Sequence, residues 1–197
     1  MTLSGPRERL LLSAITLMCE RGVRATGLAD LLAHSHTARG SAYQHFPGGK
    51  TELMEQATYT AGRTINELLD ELLATREPAG VIDGIIDYWK KVLTSSDYVM
   101  SCPILAASQS GPGEPAVQAA AAVVLASWVE KITIALADAG VAPAAAEPMA
   151  SLAVSAVEGA ISHSRSARTT QPLDDVRIAL TSLVESAIGC TEDPTLG

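Results

Sequence analysis

Apolar residues recur along this chain at steps of three and four, and strand-like alternation is nearly absent. From Lys50 onward, Leu53, Ala57, Ala61, Ile65, Leu68 and Leu72 fall on one side of a long helix. The same rhythm carries Ile82, Ile85, Ile86, Trp89 and Leu93, and then Val117, Val124, Trp128, Ile132 and Leu136. Punctuation separates these runs. Pro6 suits the first turn of a helix that reaches about Glu20 and stops at Gly22. A short helix follows over about Leu28 to His34, and a third over roughly Ala38 to His45, ended by Pro47-Gly48-Gly49. Beyond Glu77-Pro78 another helix runs to a break at Ser95 to Pro103, then a short apolar helix leads to the SGPGEP corner, Ser110 to Pro115. The next helix ends near Gly140, and two more cover about Glu147 to Arg168 and Leu173 to Ile188. No internal repeat is present, and the pattern predicts an all-α protein.

The last two helices carry wide apolar arcs: Met149, Leu152, Ala153, Ala156, Val157, Ala160 and Ile161 on one, and Val176, Leu180, Leu183, Val184, Ala187 and Ile188 on the other. The first is lined by Ala, Ser and Gly159, which permits close helix approach. Two such helices from each of two chains close a four-helix bundle, so a homodimer is expected, with a purely intrachain core as the plainer alternative.

Charge changes the picture. The formal net charge of −8 speaks against a nucleic-acid partner, but its distribution does not. Residues 1–51 hold six Arg and Lys against three Asp and Glu, while the rest of the chain holds eight against nineteen. The amino-terminal quarter is therefore locally cationic, over a range comparable to the Debye length of roughly 8 Å in physiological salt. With 47% apolar and 18% charged residues the chain has the composition of a folded protein. Cys19, Cys102 and Cys190 are odd in number and widely spaced, the usage of a reduced compartment. The run LLLSAITLMC has the look of a signal core, but Glu20 and Arg21 stand where a cleavage site needs small residues. No stretch reads as a membrane span. A soluble, cytoplasmic protein without membrane, metal or cofactor is expected.

Within the cationic quarter, RGSAYQHFPGGK (Arg39 to Lys50) concentrates polar donors on one short helix and then turns sharply. Two short helices joined by about three residues make a helix-turn-helix, whose second helix enters the major groove of duplex DNA. Arg39 and Gln44 have the donor geometry for guanine and adenine edges, while Tyr43 and His45 suit phosphates. Phe46, the only phenylalanine, plugs this helix against the long one, and Lys50 and Thr51 open that helix where its free N–H groups face a phosphate. Thr26 stands where it can cap the second helix; with Ala29 in place of Glu or Gln, no capping box is expected.

The stretch RERLLLSAITLMCERGVRATGLADLLAHSHTARGSAYQHFPGGKTEL resembles, in register from Arg7 to Leu53, the amino-terminal domain of tetracycline-repressor-like (TetR-family) regulators. The resemblance rests on the R-x-x-(apolar)-x-A start, Glu20 to Gly22, Thr26, Asp30-Leu31, Gly40, Tyr43, His45-Phe46 and Lys50, about a quarter of the chain. HFPGGK, with Ser101-Cys102-Pro103-Ile104, is similar to the subgroup related to regulators of multidrug-exporter genes, some of which respond to flavonoid-like aromatics. The resemblance implies phosphate contacts at Thr26, Tyr43, His45, Lys50 and Thr51, and base-reading positions at Arg39, Ser41 and Gln44. It implies a helix-turn-helix DNA-binding domain over residues 1–49 and a helical ligand-binding and dimerisation domain over 50–197. The expected function is repression by a homodimer on a palindromic operator, released by a small apolar or aromatic effector. Two positions depart from the family pattern: His36 replaces the turn glycine, and Ala42 replaces a bulky apolar residue.

Other chemistries fare poorly. GGKT lacks the glycine that a phosphate loop needs at Gln44, and no strand precedes it. His34, His36, His45 and Cys19 match no zinc spacing, and Glu158 and His163, five apart, lie on different sides of a helix. No enzyme is indicated. Trp89, Met100, Cys102 and Trp128, with His163 as a polar anchor, are expected to line an effector pocket, although aromatics at helical spacing are as often core. The alternative is a small-molecule-binding or partner-binding protein on the same scaffold that no longer binds DNA.

Overall fold

The computed structural model describes residues 5–189. Among them the architecture is all-helical: α1 (Pro6–Arg21), α2 (Leu28–Ser35), α3 (Arg39–His45), α4 (Gly49–Thr75), α5 (Pro78–Ser95), α6 (Pro103–Ser108), α7 (Pro115–Asp138), α8 (Pro143–Ala167) and α9 (Gln171–Gly189). Cys190 lies outside the described residues. The chain forms two compact units. The first takes residues up to Thr64 together with Met100–Val124, and the second takes Ile65–Val99 with Leu125 onward. The first unit thus holds, besides the expected residues 1–49, the first turns of α4 and the segment 100–124.

In the first unit α1 is the central rod, packed against α2, α3 and α6. Leu10, Ala14, Met18, Leu31, Phe46, Leu53 and Met54 are almost wholly excluded from water. Burial of a side chain of this size stabilises by about 1.5–3 kcal/mol, enough for a small domain to hold its short helices in place. Gly22, at φ +83°, ends α1 as its position predicts, and its N–H donates to the Met18 carbonyl. Ser101 ties the α6 segment down by donating its hydroxyl to the Cys19 carbonyl at 2.7 Å.

In the second unit α5, α8 and α9 pack on one another. Leu136, Val141, Ala146, Ala150 and Val184 form a core flanked by Ile82, Ile132 and Met149. Arg177 of α9 reaches Asp83 and Asp87 on α5, and Lys90 reaches Asp174 at 2.7 Å. Ala160, Ile161, Leu180 and Val184, expected on the dimer stripe, are buried within the chain, whereas Leu152, Ile178 and Leu183 remain exposed. Part of the apolar arc therefore closes the unit's own core, while Leu152 stays exposed and Leu183 is only partly covered.

Two expectations are corrected. α8 begins at Pro143, not near Glu147, and Pro148 sits inside it. Pro143 falls where the first N–H groups are unpaired anyway, whereas Pro148 lies past the Ala146 N–H bond to the Ala142 carbonyl and costs the helix one bond to Ala144. α7 is, contrary to expectation, long and apolar enough to cross a membrane by length and composition. Its hydropathy comes mainly from four valines, two leucines and two isoleucines, and Val117, Ala120, Ala121, Val124, Trp128 and Leu136 are buried within the fold, although only 28% of the apolar window is.

Candidate nucleic-acid interface and ligand cavity

Three residues, His36 to Ala38, join α2 to α3. His36 takes the left-handed conformation, φ 49° and ψ 44°, where the family pattern has glycine. The turn closes with His36 N–H on the Ala33 carbonyl and Thr37 N–H on the Leu32 carbonyl, so the helix-end acceptors are satisfied despite the strained residue. Thr37, almost fully buried, donates its hydroxyl to the Ser35 carbonyl.

α3 is anchored by its apolar side. Ala42 is 3% exposed and Phe46 1%, while Arg39, Gly40, Tyr43 and Gln44 face solvent and Ser41 and His45 are half-buried. A narrow cleft with no room for a water molecule is lined by Leu28, Ala42, Tyr43, Phe46, Gly49 and Leu53. The Arg7 guanidinium lies 5.6 Å from the centre of the Phe46 ring. Arg39, Ser41, Tyr43, Gln44 and His45 thus share one seven-residue helix whose inward side is fixed.

Thr26 does not cap α2. It is fully buried, and its hydroxyl donates to the Gly22 carbonyl at 2.8 Å, with the Leu17 carbonyl farther off at 3.4 Å. Gly27 is the N-cap, and its N–H donates to the Asp30 carboxylate at 2.9 Å, so the acid closes the helix start one position later than expected. Thr26 accordingly faces the interior and offers no side chain to a phosphate in this conformation. At the start of α4 the Gly48 N–H donates to Glu52 at 2.7 Å. Lys50 Nζ is 2.9 Å from Glu114 Oε1, and Thr51 donates its hydroxyl to Glu114 Oε2 at 2.8 Å. Burial alone would raise the Glu114 carboxyl, but hydrogen bonds from Lys50 and Thr51 and the Lys50 charge outweigh it and hold it below the usual value. Sequence spacing gave no sign of Glu114, which stands 64 residues from Lys50.

The second unit contains a cavity of about 510 Å³. Its walls are aliphatic: Leu69, Leu73, Val81, Ile82, Ile85, Ile132, Ala135, Leu136, Met149 and Leu180, with Arg76, Glu77, Lys131 and Asp138 among its charged residues. That volume lies within the range of small-molecule sites, roughly 300–1,000 Å³. None of Trp89, Met100, Cys102, Trp128 or His163 lines it. Trp89 is buried with its ring edge-on to Tyr88, 5.2 Å between centres, and Cys102 is fully buried at the start of α6. Met100 and Cys102 belong to the first unit, and His163 is exposed. Trp128 is buried with its indole N–H unpaired among the described residues. The aromatics expected as a ligand cage are buried and are not among the residues that line this cavity. No group of three or more metal-ligating side chains occurs among the described residues.

Comparison with known proteins agrees with this anatomy. The family described as "Bacterial regulatory proteins, tetR family" matches residues 10–57. The family "Transcriptional regulator LmrA/YxaF-like, C-terminal domain" matches residues 78–178. An uncharacterized HTH-type transcriptional regulator of Mycobacterium tuberculosis (strain H37Rv) is 37% identical over 188 residues, spanning 92% of this chain and 95% of that one. The HTH-type transcriptional regulator LmrA of Bacillus subtilis (strain 168) is 26% identical over 188 residues, spanning 94% of this chain and all of LmrA. The regulatory protein TetR from Rhodobacter sphaeroides shares the fold with a TM-score of 0.82 at 18% identity, over 90% of this chain and 97% of that one. The chain belongs to the tetR family of bacterial helix-turn-helix transcriptional regulators, with a carboxy-terminal domain of the LmrA/YxaF-like type, and it is not an enzyme.

Proposed function

We propose that this regulator is a cytoplasmic repressor that covers a palindromic operator as a homodimer and leaves it when a small apolar effector binds. The observation that carries the DNA part is the division of α3 into a buried side, Ala42 with Phe46 behind it, and an outward side bearing Arg39, Tyr43 and Gln44. A helix held in this way keeps its donors at fixed positions, which base reading requires. Arg39, Ser41 and Gln44 read bases, and Tyr43, His45, Lys50 and Thr51 position the backbone. Two recognition helices then enter successive major grooves roughly 34–36 Å apart.

The effector part is supported by the aliphatic cavity of the second unit, not by the tryptophans. α4 bears Lys50 and Thr51 in its first turn and Leu69 and Leu73 near its end, so one continuous helix carries both phosphate donors and cavity wall. An effector acts by preferring the conformation that DNA does not, and the shift equals its differential affinity for the two states. Leu152 of α8 and Ile178 of α9, exposed on neighbouring helices, support the dimer.

The direct test is a mobility shift with a duplex taken from just upstream of the protein's own reading frame. A retarded band of dimer stoichiometry that collapses as salt is raised supports the reading. No shift at low salt would replace it with the DNA-free binding protein.

A further inference from the structure

The start of α4 presents the two donors assigned to a DNA phosphate, and both are already taken. Glu114, in the corner between α6 and α7, accepts from Lys50 Nζ at 2.9 Å on one oxygen and from the Thr51 hydroxyl at 2.8 Å on the other. The Glu114 and Lys50 side chains are 12% and 24% exposed, so the pair is shielded but reachable. A carboxylate and a phosphodiester share the relevant shape: two equivalent, negatively charged oxygens on one centre. We propose that Glu114 is an internal stand-in for the DNA phosphate, a clasp that must leave Lys50 and Thr51 before the operator backbone can take its seat. This inference rests on the DNA-binding reading above.

The chemistry of the donors decides between a clasp and a mere positioning contact. Thr51 has one hydroxyl hydrogen, and it cannot donate to Glu114 and to a phosphate together. Lys50 has three donors, but its charge is neutralised while Glu114 sits beside it, and a phosphate arriving there meets a like charge. The corner is firmly built: Gly111 takes φ +76°, the Glu114 N–H donates to the Gly111 carbonyl at 3.1 Å, and Ser110 donates to the Glu114 carbonyl at 3.4 Å. Glu114 is thus delivered by a shaped loop. Its carboxyl is held below the ordinary range by its partners, so the clasp stays charged near neutrality and yields to competition, not to protonation.

The test uses the full chain, fluorescence anisotropy, and two duplexes: the upstream fragment and a scrambled fragment of equal length. Glu114→Gln removes the charge at nearly constant shape, and Glu114→Asp shortens the reach so that one carboxylate cannot serve both donors. Glu130→Gln, an exposed acid farther along α7, makes the same change in net charge elsewhere. E114Q is expected to bind both duplexes about five- to tenfold tighter, with a salt slope steeper by about one phosphate contact, E114D less so, and E130Q within twofold of the parent. Tighter binding of the upstream fragment alone would also contradict the clasp, since a phosphate stand-in carries no sequence information. If E114Q and E114D bind as the parent or more weakly while melting normally, Glu114 only positions Lys50 and the clasp is overturned. A parent protein that binds neither duplex at low salt would instead sink the DNA-binding reading itself.

Discussion

Gly62 of α4 and Val124 of α7 meet so closely that a methyl group on Gly62 would lie 2.6 Å from Val124 Cγ2 and 2.8 Å from Cγ1. Helix propensity alone favours alanine over glycine there by about 1 kcal/mol. Overpacking costs about 1–3 kcal/mol, and a β-branched valine has little rotamer freedom with which to retreat. Gly62→Ala is therefore expected to lower the melting temperature by about 2–4 °C or more. Combined with Val124→Ala it should recover most of that loss. A double-mutant cycle with a coupling below about 0.5 kcal/mol would show that the two helices do not touch in this way.

His36 stands in a left-handed conformation at φ 49° that L side chains adopt at a penalty of about 1–2 kcal/mol. His36→Gly relieves it, partly offset by the greater freedom of glycine in the unfolded chain. Net stabilisation of about 0.5–1 kcal/mol in urea melts is the expected result, with operator affinity unchanged or improved. A destabilised variant would mean that the imidazole makes a contact that outweighs its backbone strain.

The outward side chains of α3 and the start of α4 should separate into two classes when changed singly to alanine. Arg39 and Gln44 variants should lose about 1–3 kcal/mol of discrimination at individual base pairs, read from binding to a set of singly substituted operators. Tyr43 and His45 variants should weaken all operators alike. Thr26→Ser, which keeps the buried hydroxyl, should leave DNA binding intact, whereas Thr26→Val should weaken folding by about 1 kcal/mol by removing the hydrogen bond to the Gly22 carbonyl.

The cavity and the tryptophans make opposite predictions about the effector. Ala135→Trp inserts an indole among the aliphatic walls, and it should reduce binding of an apolar dye such as 1-anilinonaphthalene-8-sulfonate at least tenfold while sparing the operator. Trp89→Phe and Trp128→Phe should leave dye binding within a factor of two. The reverse outcome would return the effector site to the residues that the sequence pointed to.

Ile178 and Leu152 are 67% and 51% exposed on neighbouring helices, an arrangement that wastes apolar surface unless something covers it. If the proposed dimer uses this surface, Ile178→Asp should sediment as a monomer at micromolar concentration where the parent sediments as a dimer. Operator affinity should fall with it, because each monomer then holds one half-site. A variant that remains dimeric would place the interface elsewhere.

How far the residues spoke for themselves varied with the range of the interaction. Local chemistry was readable: Gly22 stops α1, Pro47-Gly48-Gly49 turns the chain, and Phe46 faces inward as an apolar plug must. Thr26 misled because a threonine just ahead of a helix start is a good cap, and only the fold reveals that the Gly22 carbonyl claims its hydroxyl. Trp89 and Trp128 could not be placed from the sequence because aromatics serve core and cage with the same helical spacing, and neither lines the aliphatic cavity.

By itself the sequence determined what depends on neighbours within a turn or two: nine helical segments among the described residues, their stops, and the polar face of α3, since backbone hydrogen bonding and side-chain periodicity are local. Tertiary structure alone decided which part of the α8 and α9 arcs stays outside, where an aliphatic cavity opens, and that Glu114 meets Lys50 and Thr51. Those outcomes depend on packing between segments dozens of residues apart, and such distances leave no periodic trace along a chain.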